Sequence, residues 1–342
     1  RERVRAVLAA HGAARLVLRS TSALSWYLDG ARTHVGLTAG PVVAVVVTPT
    51  TEEAVTRGDE AARLVAEELP GDLPVRVVPW HAALLRPEAS RGVPGVLHEE
   101  DVAAELRAAR AALLPAESAR YRRLCADVAA VLADVAAVLS PGTSERRAAA
   151  ELGRRLLDLG ADPLVLLVGG AGRLAHRHAL PTGAPLGERA VLTVCARRHG
   201  LVAAATRWVR FAAPAPGELD AEMRLLHVEA DVLAATRPGR RLRDVLADVA
   251  AAYPRHGFAA DEWERHHQGG PAGYDVDDPA PTATAADVVH AGQAFAWNPS
   301  APGAKVRDTV LLGPAGAEVL TRDAGWPAVE VAGRLRPLVR QL

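Results

Sequence analysis

Histidines in two separate segments are the side chains of this chain best suited to proton chemistry. His178 follows His176 and Arg177, and His266-His267-Gln268-Gly269-Gly270 comes after two predicted helices. An imidazole titrates near neutral pH, so it can accept a proton and return it within one turnover. The residues alone also fit a solvated loop at His178, and a pocket-lining or purely structural role at His266 and His267.

Metal or phosphate binding by the same segments is less favoured. Two adjacent histidines seldom ligate one ion in a strand, because their side chains point to opposite faces. Gly269-Gly270 predicts a tight turn, since no helix N-terminus obviously follows to hold a phosphate. The glycine-rich run at 169–172 lacks the G-x-G-x-x-G spacing of dinucleotide-binding loops, so a turn is predicted there too.

Three further polar side chains are candidates for contacting a ligand. Asn298 precedes Pro299 and is either a ligand contact or a turn residue. Arg307 precedes Asp308 in a predicted strand, where it either faces a cleft or forms an ion pair. Arg207 also lies on a predicted strand, and a salt-bridged sheet face is the simpler interpretation for it.

Nucleophilic catalysis by serine or cysteine has no sequence support. No Ser, His and Asp set has the spacing of a nucleophile elbow, and neither Cys125 nor Cys195 lies in a reactive motif. We predict two buried free thiols, which fit a reducing cytoplasm.

Composition and charge limit the classes of partner. Of the 342 residues, 49% are apolar and 23% charged, and 40 basic side chains balance 40 acidic ones. Zero net charge gives no electrostatic reason to expect nucleic acid or an anionic membrane as a partner. There is no apolar run near 18 residues, and the sequence begins at Arg1. Lys305 is the single lysine among otherwise arginine bases.

The elements that must position these residues follow from hydrophobic periodicity. The first 114 residues predict a small α/β domain with strands near 16–18, 26–28, 42–47 and 75–78 and helices near 52–69 and 99–114. In the remainder, an apolar stripe from Leu124 to Leu139 predicts one helix, and a second helix capped by Ser144 or Thr143 is predicted through Leu159. Two more helices are predicted over 217–235 and 240–252. Its predicted strands lie near 164–168, 190–196, 200–210, 292–297, 306–312 and 316–320, and a closing helix is expected from about 327.

Several short segments occur in an order that resembles a known family. They are Ser140-Pro141-Gly142-Thr143-Ser144-Glu145, His178 before Pro181-Thr182, His266 to Gly270, Asn298-Pro299 and Lys305-Val306-Arg307-Asp308-Thr309-Val310. Their order and spacing resemble the creatinase, Xaa-Pro aminopeptidase and methionine aminopeptidase family. The resemblance covers nearly the whole chain. It implies a creatinase N-terminal-like α/β domain over 1–114 and an α+β "pita-bread" domain over 115–342.

The resemblance also implies where metals would be held. In that family two aspartates on adjacent strands, one histidine and two glutamates bind a metal pair. The corresponding positions here are Thr193, Ala204, Gly270, Asn298 and Arg307. None of these is an ordinary zinc or manganese ligand, and a guanidinium would repel a dication. We therefore expect no metal and no other cofactor.

The resemblance implies roles for the remaining polar residues. His178 aligns with the family's substrate-side histidine, which in the metal-free member creatinase is implied to shuttle protons. His178 and His267 are thus the catalytic candidates, and the substrate-binding candidates are His266, Gln268, Asn298, Arg307 and Arg207. Because an amide and a guanidinium replace glutamates, an anionic or zwitterionic ligand fits better than a cation.

The expected function is therefore a metal-independent, creatinase-like hydrolase or lyase acting on a small molecule with a C–N bond. The first alternative is a non-catalytic pita-bread binding or scaffold protein. The least favoured alternative is a peptidase whose metal is held elsewhere, for example by His176, His178 and His267. Since family members commonly pair, a homodimer is expected.

Overall fold

The computed structural model describes residues 1–85 and 93–342, which separate into two compact units. The first unit comprises Arg1–Ala111 with His199–Leu201, and the second comprises Ala112–Arg198 with Val202–Leu342. Within these described ranges, no helix combines the length and the apolar character that crossing a bilayer would require.

The first unit is built on a mixed five-stranded sheet. Its strands are β1 (Arg15–Leu18), β2 (Val43–Val47), β3 (Glu52–Arg57), β4 (Val75–Val78) and β5 (Val96–His98). They are ordered β4-β3-β2-β1-β5, with antiparallel pairing along β1, β2 and β3 and parallel pairing at both edges. The helices are α1 (Glu2–Ala10), α2 (Thr21–Tyr27), α3 (Ala61–Glu67) and α4 (Ala103–Ala111).

Two predictions for this unit were wrong. The strand predicted at 26–28 lies in α2, because Ser20 caps that helix by accepting a hydrogen bond from the Ala23 N–H at 3.1 Å. The helix predicted over 52–69 is instead β3 followed by α3. Thr48 Oγ1 accepts from the Thr51 N–H at 2.8 Å and closes a turn that returns the chain antiparallel onto β2.

The second unit contains two four-stranded sheets and four α-helices. One sheet, ordered β17-β8-β7-β6, consists of β6 (Asp162–Gly170), β7 (Arg189–Arg198), β8 (Leu201–Arg210) and β17 (Arg340–Gln341). The other, ordered β14-β13-β10-β9, consists of β9 (Gly269–Ala272), β10 (Ala294–Trp297), β13 (Val310–Gly313) and β14 (Gly316–Val319). The helices are α5 (Pro115–Ala136), α6 (Glu145–Asp158), α7 (Glu218–Ala235) and α8 (Leu242–Arg255).

The predicted closing helix was also wrong. Residues from 328 onward form a hairpin of β15 (Ala328–Val331) and β16 (Arg334–Pro337), followed by β17. Positive φ angles of 49° at Ala332 and 75° at Gly333 make the tight turn between the hairpin strands. A second short hairpin, β11 (Ser300–Ala301) with β12 (Ala304–Lys305), carries the single lysine.

One hydrophobic core joins α7 and α8 to the strands of the second unit. Its buried side chains include Leu225, Val232, Val249, Phe295 and Trp297. The Trp297 indole N–H donates to Thr236 Oγ1 at 3.0 Å, so the one polar atom of that ring is satisfied within the core. This packing fixes β10 and, with it, the start of the segment that contains Asn298.

Candidate functional site

The loop that carries His178 is anchored by the buried carboxylate of Glu145. Glu145 lies at the start of α6 and is completely buried. Its carboxylate accepts hydrogen bonds from the Gly170 N–H at 2.9 Å and from the N–H and hydroxyl of Thr182 at 2.8 and 2.6 Å, and it pairs with Arg173. Although burial opposes it, these hydrogen bonds lower the pKa of Glu145. The carboxylate therefore ties together both ends of the loop.

Replacing Glu145 with Gln is expected to lower the free energy of unfolding by about 2–3 kcal/mol. The amide keeps the volume but loses the ion pair with Arg173 and turns an N–H group toward other donors. Urea denaturation would measure the change. Glu151→Gln on the exposed face of the same helix is the matched control and should change stability little. Equal stability of the two variants would contradict the anchoring role.

An ion pair holds the two histidine segments against each other. Arg177 pairs with Glu262, a buried residue in the turn before His266. His178 Nε2 then lies 3.0 Å from His266 Nε2. In this hydrogen bond one Nε2 carries the hydrogen and the other Nε2 accepts it, and the tautomers of the two rings decide which one donates. A proton could therefore pass directly from one ring to the other.

Gln268, a predicted substrate-binding residue, fixes the loop after His266. Its amide donates to the carbonyls of Trp263 at 2.6 Å and His266 at 2.7 Å, and its oxygen accepts from the Tyr253 hydroxyl at 3.0 Å. The side chain is buried, and both amide hydrogens are used internally. Gln268 is therefore a positioning residue, and its donors are not directed at a ligand.

Three imidazoles converge as a result. The ligand-capable atoms of His178, His266 and His267 all lie within 4.8 Å of one another, with His266 buried and the other two exposed. Burial and the positive charge of Lys305 lower the pKa of His266 to about 2. Burial also lowers the pKa of His178, with smaller contributions from Lys305 and Arg307. Both rings are therefore neutral at pH 7, and His266 stays neutral far into the acid range.

Asn298 contacts the third imidazole of this cluster. The residue is fully buried, and its Nδ2 lies 3.3 Å from His267 Nε2. Burial lowers the pKa of His267, although the charge of Asp277 opposes this effect, so the neutral ring accepts the amide hydrogen. The amide nitrogen of Asn298, a predicted substrate-binding residue, thus donates to His267. Asn298 Oδ1 has no hydrogen-bond partner among the residues that the structure describes.

Arg307 brings a buried positive charge to the same place. Only 4% of the residue is exposed, and its Nη1 lies 3.6 Å from Cys195 Sγ. Its Nε and Nη2 have no hydrogen-bond partner within residues 1–85 and 93–342. In that same part of the chain, no carboxylate lies within ion-pair distance of its guanidinium. Burying a guanidinium without a counter-ion costs free energy, and within the described residues nothing offsets that cost at Arg307.

Arg207, also predicted to bind substrate, lies in a different environment. Its side chain pairs with Asp308 at 2.9 Å and also contacts the carbonyls of Thr206 and Thr321. Since consecutive side chains of a strand point to opposite faces, Arg207 faces away from Thr206, whose hydroxyl bonds to Thr193 at 2.8 Å. For Arg207 the structure shows the salt-bridged sheet face that was the alternative interpretation, and substrate binding by this residue stays a prediction.

The positions aligned with the family's metal ligands do not form a site for two cations. The Thr193 hydroxyl is hydrogen-bonded to the hydroxyl of Thr206. Ala204 packs in a small apolar cluster with Cys195 and Ala296. Ala296 of β10 is in turn the strand partner of Gly270 in β9. A Cβ added at Gly270 would lie 2.7 Å from the rigid ring of Pro281, so no imidazole fits there without movement. With Asn298 and Arg307 completing the set, the donor chemistry does not suit a dication pair.

The histidine cluster is the one set of three potential metal ligands in the described ranges. The relocated metal site considered from the sequence consisted of His176, His178 and His267, whereas the structure brings His266, and not His176, together with the other two. Three imidazole nitrogens are suitable zinc ligands in number and type. However, Lys305 and Arg307 both lower the pKa of His178 by their positive charge, and the same charges oppose a dication.

Comparison with known proteins now places the chain. Residues 119–314 match the family model of Metallopeptidase family M24. The chain belongs to this family. The predicted membership of the creatinase and aminopeptidase group is therefore confirmed, and so is the predicted two-domain pita-bread fold. A search of curated proteins found no match.

Solved structures similar to this M24 chain share its fold at low sequence identity. Dipeptidase PepE from Mycobacterium ulcerans has a TM-score of 0.76 at 22% identity, covering 100% of this chain and 98% of that chain. A prolidase from Pyrococcus horikoshii OT3 has a TM-score of 0.75 at 15% identity, covering 94% and 97%. The N-terminal domain of FACT complex subunit SPT16 from Cicer arietinum has a TM-score of 0.67 at 14% identity, covering 94% and 95%.

Two residues of the M24 site were missed as functional candidates. Lys305 acts electrostatically on all three histidines, and Asp277 acts on His267. The signal for Lys305 was present in the sequence, because it is the only lysine. Asp277 lies in an acidic, Pro-rich loop, and nothing local distinguishes it from the neighbouring acids.

Proposed function

We propose that this M24 chain binds a small carboxylate-bearing molecule at Arg307 and hydrolyses a C–N bond in it without a metal pair. The observation that carries the proposal is the buried guanidinium with two unpaired donor positions. A carboxylate would form charge-assisted, bidentate hydrogen bonds there and offset the cost of burying the charge.

Unpaired acceptors on two residues that act on His267 support a ligand that also carries a donor. Asn298 Oδ1 and Asp277 Oδ1 are both buried without a hydrogen-bond partner in the described part of the chain. Asn298 contacts His267, and the charges of Asp277 and Arg307 shift the pKa of that same histidine in opposite directions. Donors and acceptors therefore surround one imidazole, an arrangement that suits a zwitterion or a ureido or guanidino acid.

His178 supplies the proton chemistry in this proposal. Its ring is exposed and neutral at pH 7, and it is hydrogen-bonded to His266. It would take a proton from the attacking water and return it to the departing nitrogen. Because this proposal uses no metal to polarise the substrate, the carbon under attack must itself be activated, as the carbon of a protonated amidine is.

Arg307→Met is expected to weaken binding of a ureido or guanidino acid by about tenfold or more, since a charge-assisted hydrogen-bond pair is lost. Isothermal titration calorimetry of the wild-type chain, the variant and an Arg154→Met control would measure the dissociation constants. The control removes an exposed arginine of α6 and should bind like wild type. Equal binding of the acid and its uncharged primary amide would contradict the carboxylate site.

A second candidate is a binding module without catalysis. It is favoured because the amide donors of Gln268 and Asn298 are directed at protein atoms. Product formation by protein freed of metal with a chelator separates the two candidates. Turnover that is lost in His178→Asn supports the hydrolase, and ligand binding without turnover supports the module. Turnover that requires a stoichiometric metal would contradict both. The homodimer and the cytoplasmic location remain predictions.

A further inference from the structure

The cluster of His178, His266 and His267 has more bonding capacity than the protein uses. His266 is only 7% exposed, yet its Nδ1 has no hydrogen-bond partner in the part of the chain that the structure describes. Its Nε2 lies 3.0 Å from His178 Nε2, and that contact uses one hydrogen of the two rings. A proton path between two rings explains this contact but not the convergence of a third imidazole.

The spacing of the three rings fits a single metal ion. Each ring offers one ligand atom, and the three atoms lie within 4.8 Å of one another. Four-coordinate zinc has Zn–N distances of about 2.0–2.1 Å, which places neighbouring nitrogens about 3.3 Å apart. His178 and His266 are already close to that separation. His267 completes the set, with its ring centroid 4.6 Å from that of His266 and 5.3 Å from that of His178.

Asn298 can support His267 as a metal ligand. Its Nδ2 lies 3.3 Å from His267 Nε2, and its Oδ1 has no partner within residues 1–85 and 93–342. Rotation of the amide exchanges these two atoms, so that Oδ1 accepts from Nε2–H and the lone pair of Nδ1 is free to bind a metal. A metal-bound imidazole almost always donates its other N–H to such an acceptor. Metal binding would therefore give the unpaired oxygen of Asn298 a partner.

We propose that His178, His266 and His267 bind one zinc ion, with hydroxide or another small oxygen anion as the fourth ligand. Three imidazoles and one exchangeable position are a known ligand set for zinc in proteins. This site for a single ion uses none of the five positions that align with the family's metal ligands.

The charges around the cluster explain why the fourth ligand is an anion. Lys305 and Arg307 act against further positive charge at His178, whereas Asp277 acts in favour of it at His267. An anion bound to the zinc reduces the charge added to the cluster from two to one and weakens the repulsion accordingly.

Zinc at this site inhibits the proposed hydrolysis, a consequence that rests on the proposed function. A lone pair of His178 that is bound to a metal cannot take a proton from water. Since general acid–base catalysis typically contributes about a hundredfold or more, one equivalent of zinc should reduce turnover by about that factor. A chelator should restore it.

Zinc titration of the full chain, first freed of metal with a chelator, tests the site. Isothermal titration calorimetry with zinc sulfate in chloride-free buffer should show one zinc per chain. X-ray absorption of the wild-type complex should show imidazole neighbours and no sulfur, a readout that needs no variant. Cobalt sulfate should give the intense visible absorption of a four-coordinate ion.

His266→Gln and His178→Asn should each weaken zinc binding by about a hundredfold, because losing even an outer partner of a metal site typically costs about 10–100-fold in affinity. His256→Gln is the matched control. His256 belongs to a second pair of contacting histidines, with its ring centroid 5.7 Å from that of His227, and it also pairs with Asp231. Its replacement should leave the zinc affinity unchanged.

Three results would overturn the site: no zinc bound by the wild-type chain, equal zinc affinity in the wild-type chain and His266→Gln, or zinc binding that is lost in His256→Gln. Arg307→Met should bind zinc at least as tightly as the wild-type chain, since a repelling charge is removed. Weaker zinc binding by that variant would overturn the charge argument.

The same variant separates this inference from the proposed function. Loss of carboxylate binding in Arg307→Met, with zinc binding retained, is the result expected when both hold. Carboxylate binding that does not depend on Arg307, with one zinc still bound at the histidines, contradicts the proposed function alone. Turnover that is unchanged by bound zinc overturns the inhibition.

Discussion

Replacing Arg336 with Met is expected to lower the free energy of unfolding by about 3–5 kcal/mol, the typical cost of removing one partner from a buried ion pair. Arg336 is only 1% exposed. It donates to Glu229 Oε2 at 2.6 Å and to Asp308 Oδ2 at 2.8 Å, and both carboxylates are buried. The substitution preserves the apolar volume but leaves Glu229 with no cation. Arg207 remains as the only ion-pair partner of Asp308 in the described part of the chain, beside the hydrogen bond from the Thr321 hydroxyl.

Urea denaturation of the variant against the wild-type chain would measure this loss. Arg122→Met is the matched control, because Arg122 pairs with Glu318 at the surface, where both side chains are about half exposed. Exposed pairs are typically worth about 1 kcal/mol or less. A double variant, Arg336→Met with Glu229→Met, should recover part of the stability because it removes the stranded carboxylate. Equal losses at Arg336 and Arg122 would contradict the buried network.

Lowering the pH from 6.5 to 4 is expected to cost about 3 kcal/mol of stability through His266 alone. Burial, followed by the charge of Lys305, lowers the pKa of His266 in the folded protein from 6.5 to about 2. Between these values the unfolded chain binds the proton and the folded chain does not. The free energy of unfolding therefore falls as the pH falls below about 6.5.

A pH series of urea denaturations with His266→Gln isolates this effect. The amide does not titrate, so the stability of the variant should fall less steeply between pH 6.5 and 4 than that of the wild-type chain. His11→Gln serves as the control, since His11 is about one-third exposed and pairs with Glu105. Its curve should follow that of the wild type. Parallel curves for His266→Gln and wild type would contradict the lowered pKa of His266 in the folded protein.

Elements with strong periodicity and clear terminal residues were predictable from the sequence. The stripe of apolar residues gave α5, and Ser144 was correctly predicted among the capping residues of α6, since its hydroxyl accepts from the Arg147 N–H at 3.2 Å. The structure of residues 52–69 was not predictable from the sequence, because the mixture of charged and apolar residues fits a helix as well as a half-buried strand. Antiparallel pairing of residues 52–57 with the preceding strand β2 decided in favour of a strand, and the periodicity within the segment does not report that pairing.

The same division holds for the site. By itself, the sequence determined which functional groups were candidates for the site: imidazoles, an amide, guanidinium groups and one amine. Only the tertiary structure decided which of these groups are free. Gln268 and Arg207 are satisfied by Trp263 and Asp308, whereas Arg307 keeps unpaired donors. The reason is that hydrogen-bond and charge partners come from distant strands and loops, so their availability depends on which surfaces the fold brings into contact.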